Sequence, residues 1–133
     1  MIRQLDDRTM VSGQVAPHEV AALAEQGVTM LVNNRPDGEE PDQPRAAELE
    51  EAAAQAGIAY RFVPIMRGIG PADVEAMQEA FGQAGDGKML AFCRSGTRSI
   101  NTWAAGEAIA GAPRDELITA GANAGYDLRP LLG

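Results

Sequence analysis

The segment Phe92–Ser99 has the sequence Phe-Cys-Arg-Ser-Gly-Thr-Arg-Ser and contains the only cysteine of the chain. The apolar run Lys88–Phe92 leads into Cys93, and an alanine-rich stretch with helical character, Ile100–Ala110, follows the segment. This order predicts a strand, a tight loop and a helix, with the cysteine where the strand ends. Free N–H groups and the positive end of the helix dipole bind oxyanions and lower the pKa of a thiol. We therefore predict a nucleophilic Cys93 beside an anion-binding loop.

The loop after Cys93 is polar and doubly cationic. Arg98 can direct two N–H groups at one anion, and Arg94 is predicted to be a solvent-facing rim residue that attracts anionic substrates. A lone cysteine is often a small buried hydrophobic residue, but a hydrophobic core would not accept this loop. The surroundings of Cys93 therefore favour a functional thiol.

The rest of the chain alternates between strand and helix patterns. Strands are predicted at 9–12 (an edge strand), 28–33, 58–65 (a buried strand) and 88–92. Helices are predicted at 17–26, 45–56, 71–82, 100–110 and 114–124. This alternation predicts an α/β fold with a mostly parallel sheet flanked by helices in three layers. Right-handed crossovers bring the loops 34–44, 66–70 and 93–98 to one edge of such a sheet.

Composition and charge restrict the class of protein. The chain has 133 residues, of which 45% are hydrophobic, which predicts one packed domain over residues 1–133. A net charge of −8 argues against nucleic acid and anionic membrane surfaces as partners. No run approaches the ~18 apolar residues that cross a bilayer, and Met1–Asp7 lacks an apolar signal core. We expect a soluble, cytoplasmic protein.

Metal and cofactor chemistry are not predicted. The chain has one cysteine and one histidine, His18, which cannot form a zinc cluster together. Glu39 and Glu40 are predicted to be a solvated acidic turn, and Arg35 a solvated surface residue. The thiolate and its loop would supply the chemistry without a metal or an organic cofactor.

Two enzyme classes place a cysteine and an arginine in a loop of this kind. Cysteine-dependent phosphatases use Cys-x5-Arg, and rhodanese-type sulfurtransferases commonly use a loop one residue shorter. The spacing from Cys93 to Arg98 is Cys-x4-Arg, which resembles the rhodanese loop. A longer loop forms a wider ring of N–H groups that holds a tetrahedral phosphate, and a shorter ring fits a persulfide sulfur better.

Four strings resemble one bacterial family, in order along nearly the whole chain. They are Val-Asn-Asn-Arg-Pro-Asp-Gly-Glu-Glu at 32–40, Gly-Ile-Ala-Tyr at 57–60, Cys-Arg-Ser-Gly-Thr-Arg-Ser at 93–99 and Ala-Gly-Tyr-Asp-Leu at 124–128. The family is the phosphatase-like domain of beta-lactamase hydrolase-like proteins, found alone or fused to a metallo-hydrolase. The resemblance implies the fold of dual-specificity phosphatases, with sulfur metabolism as a rival assignment and a metallo-hydrolase as a partner.

The same resemblance implies roles for the loop residues. Cys93 would be the thiolate that forms a phospho-cysteine or a persulfide, and Arg98 would clamp the anion. The Ser99 hydroxyl would hydrogen-bond the Cys93 sulfur. The backbone N–H groups that would hold the transferred group's oxygens include those of Arg94, Ser95, Gly96 and Thr97.

A phosphatase also needs a general acid for the leaving oxygen. The loop 66–70, where such an acid usually lies, has no carboxylate. Asp37 in the converging acidic loop is the preferred candidate, although Pro36-Asp37-Gly38 is also strong turn chemistry. Asp73 is predicted to lie in the first turn of a helix, where acids are favoured.

The sequence favours a cysteine-dependent phosphatase that acts on phosphomonoesters or another small anionic substrate. A sulfurtransferase that carries a Cys93 persulfide is the close alternative. A non-catalytic binder of anions or phosphoproteins is the second alternative.

Overall fold

In the computed structural model, which describes all 133 residues, five strands form one sheet. The strands are β1 (Ile2–Gln4), β2 (Thr9–Ser12), β3 (Val28–Asn33), β4 (Ala59–Phe62) and β5 (Lys88–Phe92). Their spatial order is β1-β2-β5-β3-β4. Only β1 runs antiparallel to its neighbour, so the predicted mostly parallel sheet is confirmed.

Six helices cover the two faces of the sheet. They are α1 (Val20–Glu25, after a 3₁₀ turn at Pro17–Glu19), α2 (Ala46–Ala56), α3 (Pro71–Gln83), α4 (Thr97–Ile109), α5 (Arg114–Asn123) and α6 (Arg129–Leu132). Side chains of α1 and α2 pack on one face, and those of the other four helices pack on the opposite face. The result is the expected three-layer α/β architecture. No helix has the length and apolar character needed to cross a membrane.

Two hydrophobic clusters hold the layers together, one on each face of the sheet. Met30, Met89 and Trp103 belong to the larger cluster, and Leu31 and Phe92 to the smaller one. Alternate residues of β3 and β5 therefore enter opposite clusters, as the two-residue period of a strand requires. Phe92 and Trp103 are both core residues, with 0% and 5% of their surface exposed.

The carboxyl ends of the parallel strands lie at one edge of the sheet. Phe92 at the end of β5 is in register with Ser12 on one side and with Asn33 on the other. β5 is the middle strand, so the loop that follows it is flanked by the chain leaving β2 and the chain leaving β3. The strand order thus places Cys93 centrally, as convergent loops in a parallel sheet require.

One strand position and two element boundaries differ from the sequence prediction. β2 is an inner strand because β1, which the sequence did not reveal, covers its outer edge. The strand predicted at 58–65 is limited to Ala59–Phe62, and none of its four residues is buried, because β4 is itself an edge strand. α4 begins at Thr97 rather than at Ile100, which places Arg98 in its first turn.

Candidate active site

Cys93 lies at the carboxyl end of the central strand and is almost fully buried, with 1% of its surface exposed. Its backbone N–H donates to the Ser12 carbonyl oxygen at 3.3 Å, which continues the β2–β5 pairing by one residue. The next residue, Gly13, packs closely against the cysteine loop, because a Cβ atom at this position would lie 2.9 Å from the Arg94 carbonyl oxygen. The segment after β2 therefore supports the cysteine loop from one side.

The loop turns back on the sulfur at Gly96. This residue has a φ of 93°, in the left-handed region that favours glycine, and its N–H donates to Cys93 Sγ at 3.1 Å. Tyr126 covers the turn from outside, because its hydroxyl donates to the Ser95 carbonyl oxygen at 2.8 Å. A Cβ atom on Gly96 would lie 2.2 Å from that hydroxyl oxygen. Conformation and space both restrict position 96 to glycine.

The loop lowers the pKa of the Cys93 thiol. Burial by itself disfavours the thiolate, but backbone N–H groups directed at the sulfur outweigh it, and the net pKa falls below the ordinary value. These N–H groups belong to Ser99, Ser95, Arg98 and Gly96. A buried thiolate at a helix N-terminus is a suitable nucleophile.

Arg98 is held along one edge of its guanidinium group. Nη1 donates to Glu39 Oε2 at 2.7 Å and to the Ile65 carbonyl oxygen at 3.0 Å, and Nη2 donates to Glu39 Oε1 at 2.9 Å. These hydrogen bonds to Glu39, together with the neighbouring Cys93 thiolate, raise the pKa of Arg98 against the opposing effect of burial. Nε–H and the second Nη2–H lie along the other edge. That edge can bind an oxyanion while Glu39 fixes the arginine.

Glu39 and Glu40 are not the solvated acidic turn that the sequence predicted. Arg35, which is only 3% exposed, donates to Glu39 Oε1 at 2.9 Å and to Glu40 Oε1 at 2.8 Å. Arg94 forms a further ion pair with Glu40 at 3.2 Å, through a side chain that stays largely exposed as predicted. The hydrogen bonds from Arg98, with help from Arg35, lower the pKa of Glu39 to about 2 despite partial burial. The predicted solvated Arg35 is therefore wrong, because its charge is paired inside the loop cluster.

Ser99 does not make the contact that the sequence predicted. Its hydroxyl donates to Asn34 Oδ1 at 2.8 Å, so the single hydroxyl proton is not directed at Cys93. Asn34 in turn donates through Nδ2 to the Val63 carbonyl oxygen at 2.9 Å and is fully buried. Ser99 thus ties the helix of the cysteine loop to the chain after β3, and its backbone N–H is the part that acts on the sulfur.

The two predicted acids both bind helix N-termini. Asp37 Oδ1 accepts a hydrogen bond from the Ala46 N–H at 2.7 Å, at the start of α2. Asp73 Oδ2 accepts one from the Gly70 N–H at 2.9 Å, at the start of α3. Asp73 has the first-turn position that was expected. Asp37 itself lies in a turn, and its carboxylate accepts the Ala46 N–H at the start of α2, unlike that of a free general acid.

Sequence reasoning missed Glu39, Asn34 and Tyr126 as parts of the site. Glu39 could have been found, because the loop 34–44 was expected to meet Arg98 and a carboxylate is the natural partner of a guanidinium group. Asn34 and Tyr126 carried no such signal. Each acts through a hydrogen bond to a residue far away in the sequence, Ser99 and Ser95 respectively.

Comparisons with known proteins identify the family of the chain. The family model described as "Beta-lactamase hydrolase-like protein, phosphatase-like domain" matches residues 1–110. Beta-lactamase hydrolase-like proteins of Xylella fastidiosa (strain Temecula1) and Agrobacterium fabrum are 40% and 35% identical over 129 and 130 residues. These matches cover 96% and 94% of the chain but only 30% and 29% of the relatives, so the chain spans about a third of their length.

Solved structures show the same fold. A Neisseria meningitidis Z2491 protein described as a candidate phosphatase superposes with a TM-score of 0.84 and 34% identity, covering 98% of this chain and 93% of its own. The active form of Tk-PTP superposes with a TM-score of 0.69 over 96% of this chain and 87% of its own. Its identity is only 19%, so this likeness concerns the fold alone.

Proposed function

Since the chain belongs to the family of the phosphatase-like domain of beta-lactamase hydrolase-like proteins, we propose that it hydrolyses phosphomonoesters through Cys93. The domain has the fold of cysteine-dependent protein tyrosine phosphatases. The observation that carries the proposal is the ring of N–H groups around the Cys93 sulfur, with Gly96 N at 3.1 Å and the free edge of Arg98 beside it. Such an arrangement binds a phosphoryl group above a thiolate.

In the first step, the Cys93 thiolate attacks phosphorus and an S–P bond forms while the bond to the leaving oxygen breaks. The leaving oxygen keeps that electron pair and takes up a proton from solvent water. Arg98 and the loop N–H groups stabilise the charge on the phosphoryl oxygens. In the second step, water attacks phosphorus, the S–P bond breaks, and phosphate leaves as the thiolate is restored.

The positions of the carboxylates indicate which phosphomonoesters are favoured. Asp37 and Asp73 cap helices, and Glu39 with a pKa of about 2 has no proton to give at neutral pH. Without a carboxylic acid, departure depends on the stability of the leaving oxygen. We therefore propose that aryl phosphates are better substrates than alkyl phosphates.

Phosphate release from p-nitrophenyl phosphate and from an alkyl phosphate tests this proposal. The wild-type protein should hydrolyse the aryl ester faster, and Cys93→Ser should lose turnover while keeping its thermal unfolding midpoint. His18→Ala is a suitable control, because this exposed side chain lies outside the loop cluster. Hydrolysis that persists in Cys93→Ser would refute the cysteine mechanism.

Sulfur transfer is the second candidate, and the Cys-x4-Arg spacing of Cys93 and Arg98 favours it, because the shorter loop forms a narrower ring of N–H groups that fits a persulfide sulfur. In this reaction the thiolate attacks the outer sulfur of thiosulfate, an S–S bond forms, and sulfite leaves. Such a transfer needs no protonated leaving alcohol, which agrees with the capped carboxylates. The intact mass after incubation with thiosulfate should then increase by one sulfur atom in the wild type and not in Cys93→Ser.

Binding without catalysis is the third candidate. It predicts that phosphate or an aryl phosphate protects Cys93 from alkylation while no phosphate is released and no sulfur is gained. A metallo-hydrolase partner and a cytoplasmic location stay predictions from the sequence. The activity of the longer relatives is likewise a separate matter, because the chain matches only 30% of their length.

A further inference from the structure

Arg35 is a buried cation that lies two residues after the end of β3. Its backbone N–H donates to Asn33 Oδ1 at 2.9 Å, which fixes the chain at the point where the Arg35 side chain leaves it. A buried charge costs free energy unless it is paired and hydrogen-bonded. The partners of Arg35 therefore indicate what this arginine does in the fold.

Three side chains accept hydrogen bonds from the three nitrogens of the Arg35 guanidinium group. Nε donates to Glu39 Oε1 at 2.9 Å, and Nη2 donates to Glu40 Oε1 at 2.8 Å. Nη1 donates at 3.0 Å to Oε1 of Gln14, which lies in the segment after β2. Every nitrogen of the group has a protein partner and the residue is buried, so Arg35 does not bind a substrate directly.

Glu39 connects this buried group to the cysteine loop. Its Oε1 atom accepts from Arg35 Nε and from Arg98 Nη2, at 2.9 Å in each case. Arg35 and Arg98 thus hold the same carboxylate oxygen from two sides. The Glu39 side chain is 30% exposed, so without the hydrogen bond from Arg35 it would be free to change rotamer. Arg98 would then lose a fixed partner.

We propose that Arg35 is a positioning residue for anion binding, which holds Glu39 so that the free edge of Arg98 faces the oxyanion. This role rests on the proposed function, because it concerns the same anion at the cysteine loop. The ionic cluster contains three arginines and two glutamates, so its net charge is +1 and a neutral residue at position 35 would remove that excess. Its members are Arg35, Arg94, Arg98, Glu39 and Glu40.

Protection of Cys93 from iodoacetamide by inorganic phosphate measures anion binding without turnover, and the intact mass gives the alkylated fraction. Arg35→Lys keeps the charge but replaces the planar fork with one ammonium nitrogen. The half-protecting phosphate concentration should rise about tenfold, as the loss of a hydrogen bond to a charged group does. Arg61→Lys is the matched control, because Arg61 pairs with Glu79 and contacts no member of the cluster. It should leave the half-protecting concentration unchanged.

A double-mutant cycle separates positioning from a merely structural role. Since Arg35 acts through Glu39, the effect of Arg35→Lys on phosphate affinity should disappear when Glu39→Gln is already present. The thermal unfolding midpoint of each variant shows that the protein is folded at the temperature of the measurement. If Arg35→Lys does not fold, Gln14→Ala takes its place, because it removes only the acceptor of Nη1. Its smaller effect on phosphate affinity should disappear in the same background.

Three outcomes would overturn the proposal. Equal losses of phosphate affinity with and without Glu39→Gln would mean that Arg35 acts independently of Glu39. Unchanged affinity in Arg35→Lys would mean that this arginine serves the fold alone, and a wild-type protein that phosphate does not protect would hold no anion at Arg98. By contrast, the expected cycle in a protein that releases no phosphate from p-nitrophenyl phosphate would refute hydrolysis and support the role of Arg35.

Discussion

At the residue scale, the site depends on the hydrogen bonds that orient the Arg98 guanidinium group. One edge of its guanidinium group is fixed by Glu39 and the Ile65 carbonyl oxygen, and the other edge remains for an anion. An arginine held in this way loses less conformational freedom when the anion arrives. Glu39 is therefore a positioning residue for Arg98.

The exchange Glu39→Gln tests this role. Glutamine keeps the size of the side chain but turns one oxygen into an N–H donor that faces Arg98. We expect kcat/KM for an aryl phosphate to fall about 10- to 100-fold, as misplacement of a catalytic group does. Inhibition by inorganic phosphate should weaken in parallel, which a loss of fold alone would not explain.

Glu40→Gln is the matched control, because Glu40 pairs with Arg35 and Arg94 but not with Arg98. Its effect on kcat/KM should be clearly smaller than that of Glu39→Gln. Equal losses of kcat/KM in the two variants would mean that the negative charge of the loop matters and that the orientation of Arg98 by Glu39 does not.

The titration of Cys93 is a second prediction for a single residue. Its pKa is lowered, so the thiolate should persist at a pH where an ordinary thiol is protonated, and reactivity should fall only below the lowered pKa. The rate of iodoacetamide alkylation, followed by intact mass, measures this midpoint because the chain has one cysteine.

The control is the same chain in denaturant, whose midpoint should lie near the ordinary thiol value of about 8.5. Midpoints are compared rather than rates, since the folded thiol is buried. A folded midpoint equal to or above the denatured one would mean that burial outweighs the loop N–H groups.

Residues with their own chemistry could be identified from the sequence, and residues that act through distant partners could not. Cys93 and Arg98 lie in one short segment, and the arginines and the glycine of this segment predict an anion-binding loop. Asn34 is an uncharged residue after a strand, and its contact with Ser99 requires the folded sheet. The family resemblance implies a contact between the Ser99 hydroxyl and Cys93, and only the folded sheet shows that its partner is Asn34.

At the element scale, Asp37 before α2 and Asp73 in the first turn of α3 each accept a hydrogen bond from a backbone N–H at the start of that helix. The exchange Asp37→Ala should lower the free energy of unfolding by about 1 kcal/mol, because the Ala46 N–H loses its acceptor. Turnover with an aryl phosphate should stay within about twofold. Urea unfolding and steady-state kinetics on the same preparation measure both.

Asp42→Ala is the control for Asp37→Ala, since Asp42 lies exposed in the same loop. It should leave stability and turnover unchanged. A loss of turnover in Asp37→Ala of about 100-fold, in the range of general acid catalysis, with normal stability would instead make Asp37 the missing acid.

The elements that the sequence revealed are those with a buried face. β3 and β5 are mostly apolar runs, and α2 ends at Gly57, a residue type that commonly follows the last turn of a helix. β1 was missed because Ile2–Gln4 is exposed at all three positions and shows no alternation. Its presence changed β2 from an edge strand into an inner one, which no local pattern in Thr9–Ser12 could show.

At the scale of the whole molecule, the C-terminal residues complete the fold although the family model ends at residue 110. Leu128 is 1% exposed and belongs to the larger hydrophobic cluster with Leu117 and Leu132. It also fills the space that Gly121 leaves open, where a Cβ atom would lie 2.7 Å from it. The tail thereby holds Tyr126 over the cysteine loop.

Leu128→Ala should cost about 2 to 5 kcal/mol in the free energy of unfolding, as the loss of a buried leucine does. Leu131→Ala, at a position 41% exposed, should cost far less. Urea unfolding of both variants measures the difference. Equal small losses would mean that the tail is not packed on the core as described.

The central place of β5 also determines when, during synthesis, the Cys93 loop can form. β2 and β3 are made early, yet each pairs with β5, whose residues 88–92 leave the ribosome much later. Until then the growing chain has no middle strand, and pairings this distant in sequence form slowly. The Cys93 loop can therefore not reach its folded arrangement until β5 has been made and has paired with β2 and β3.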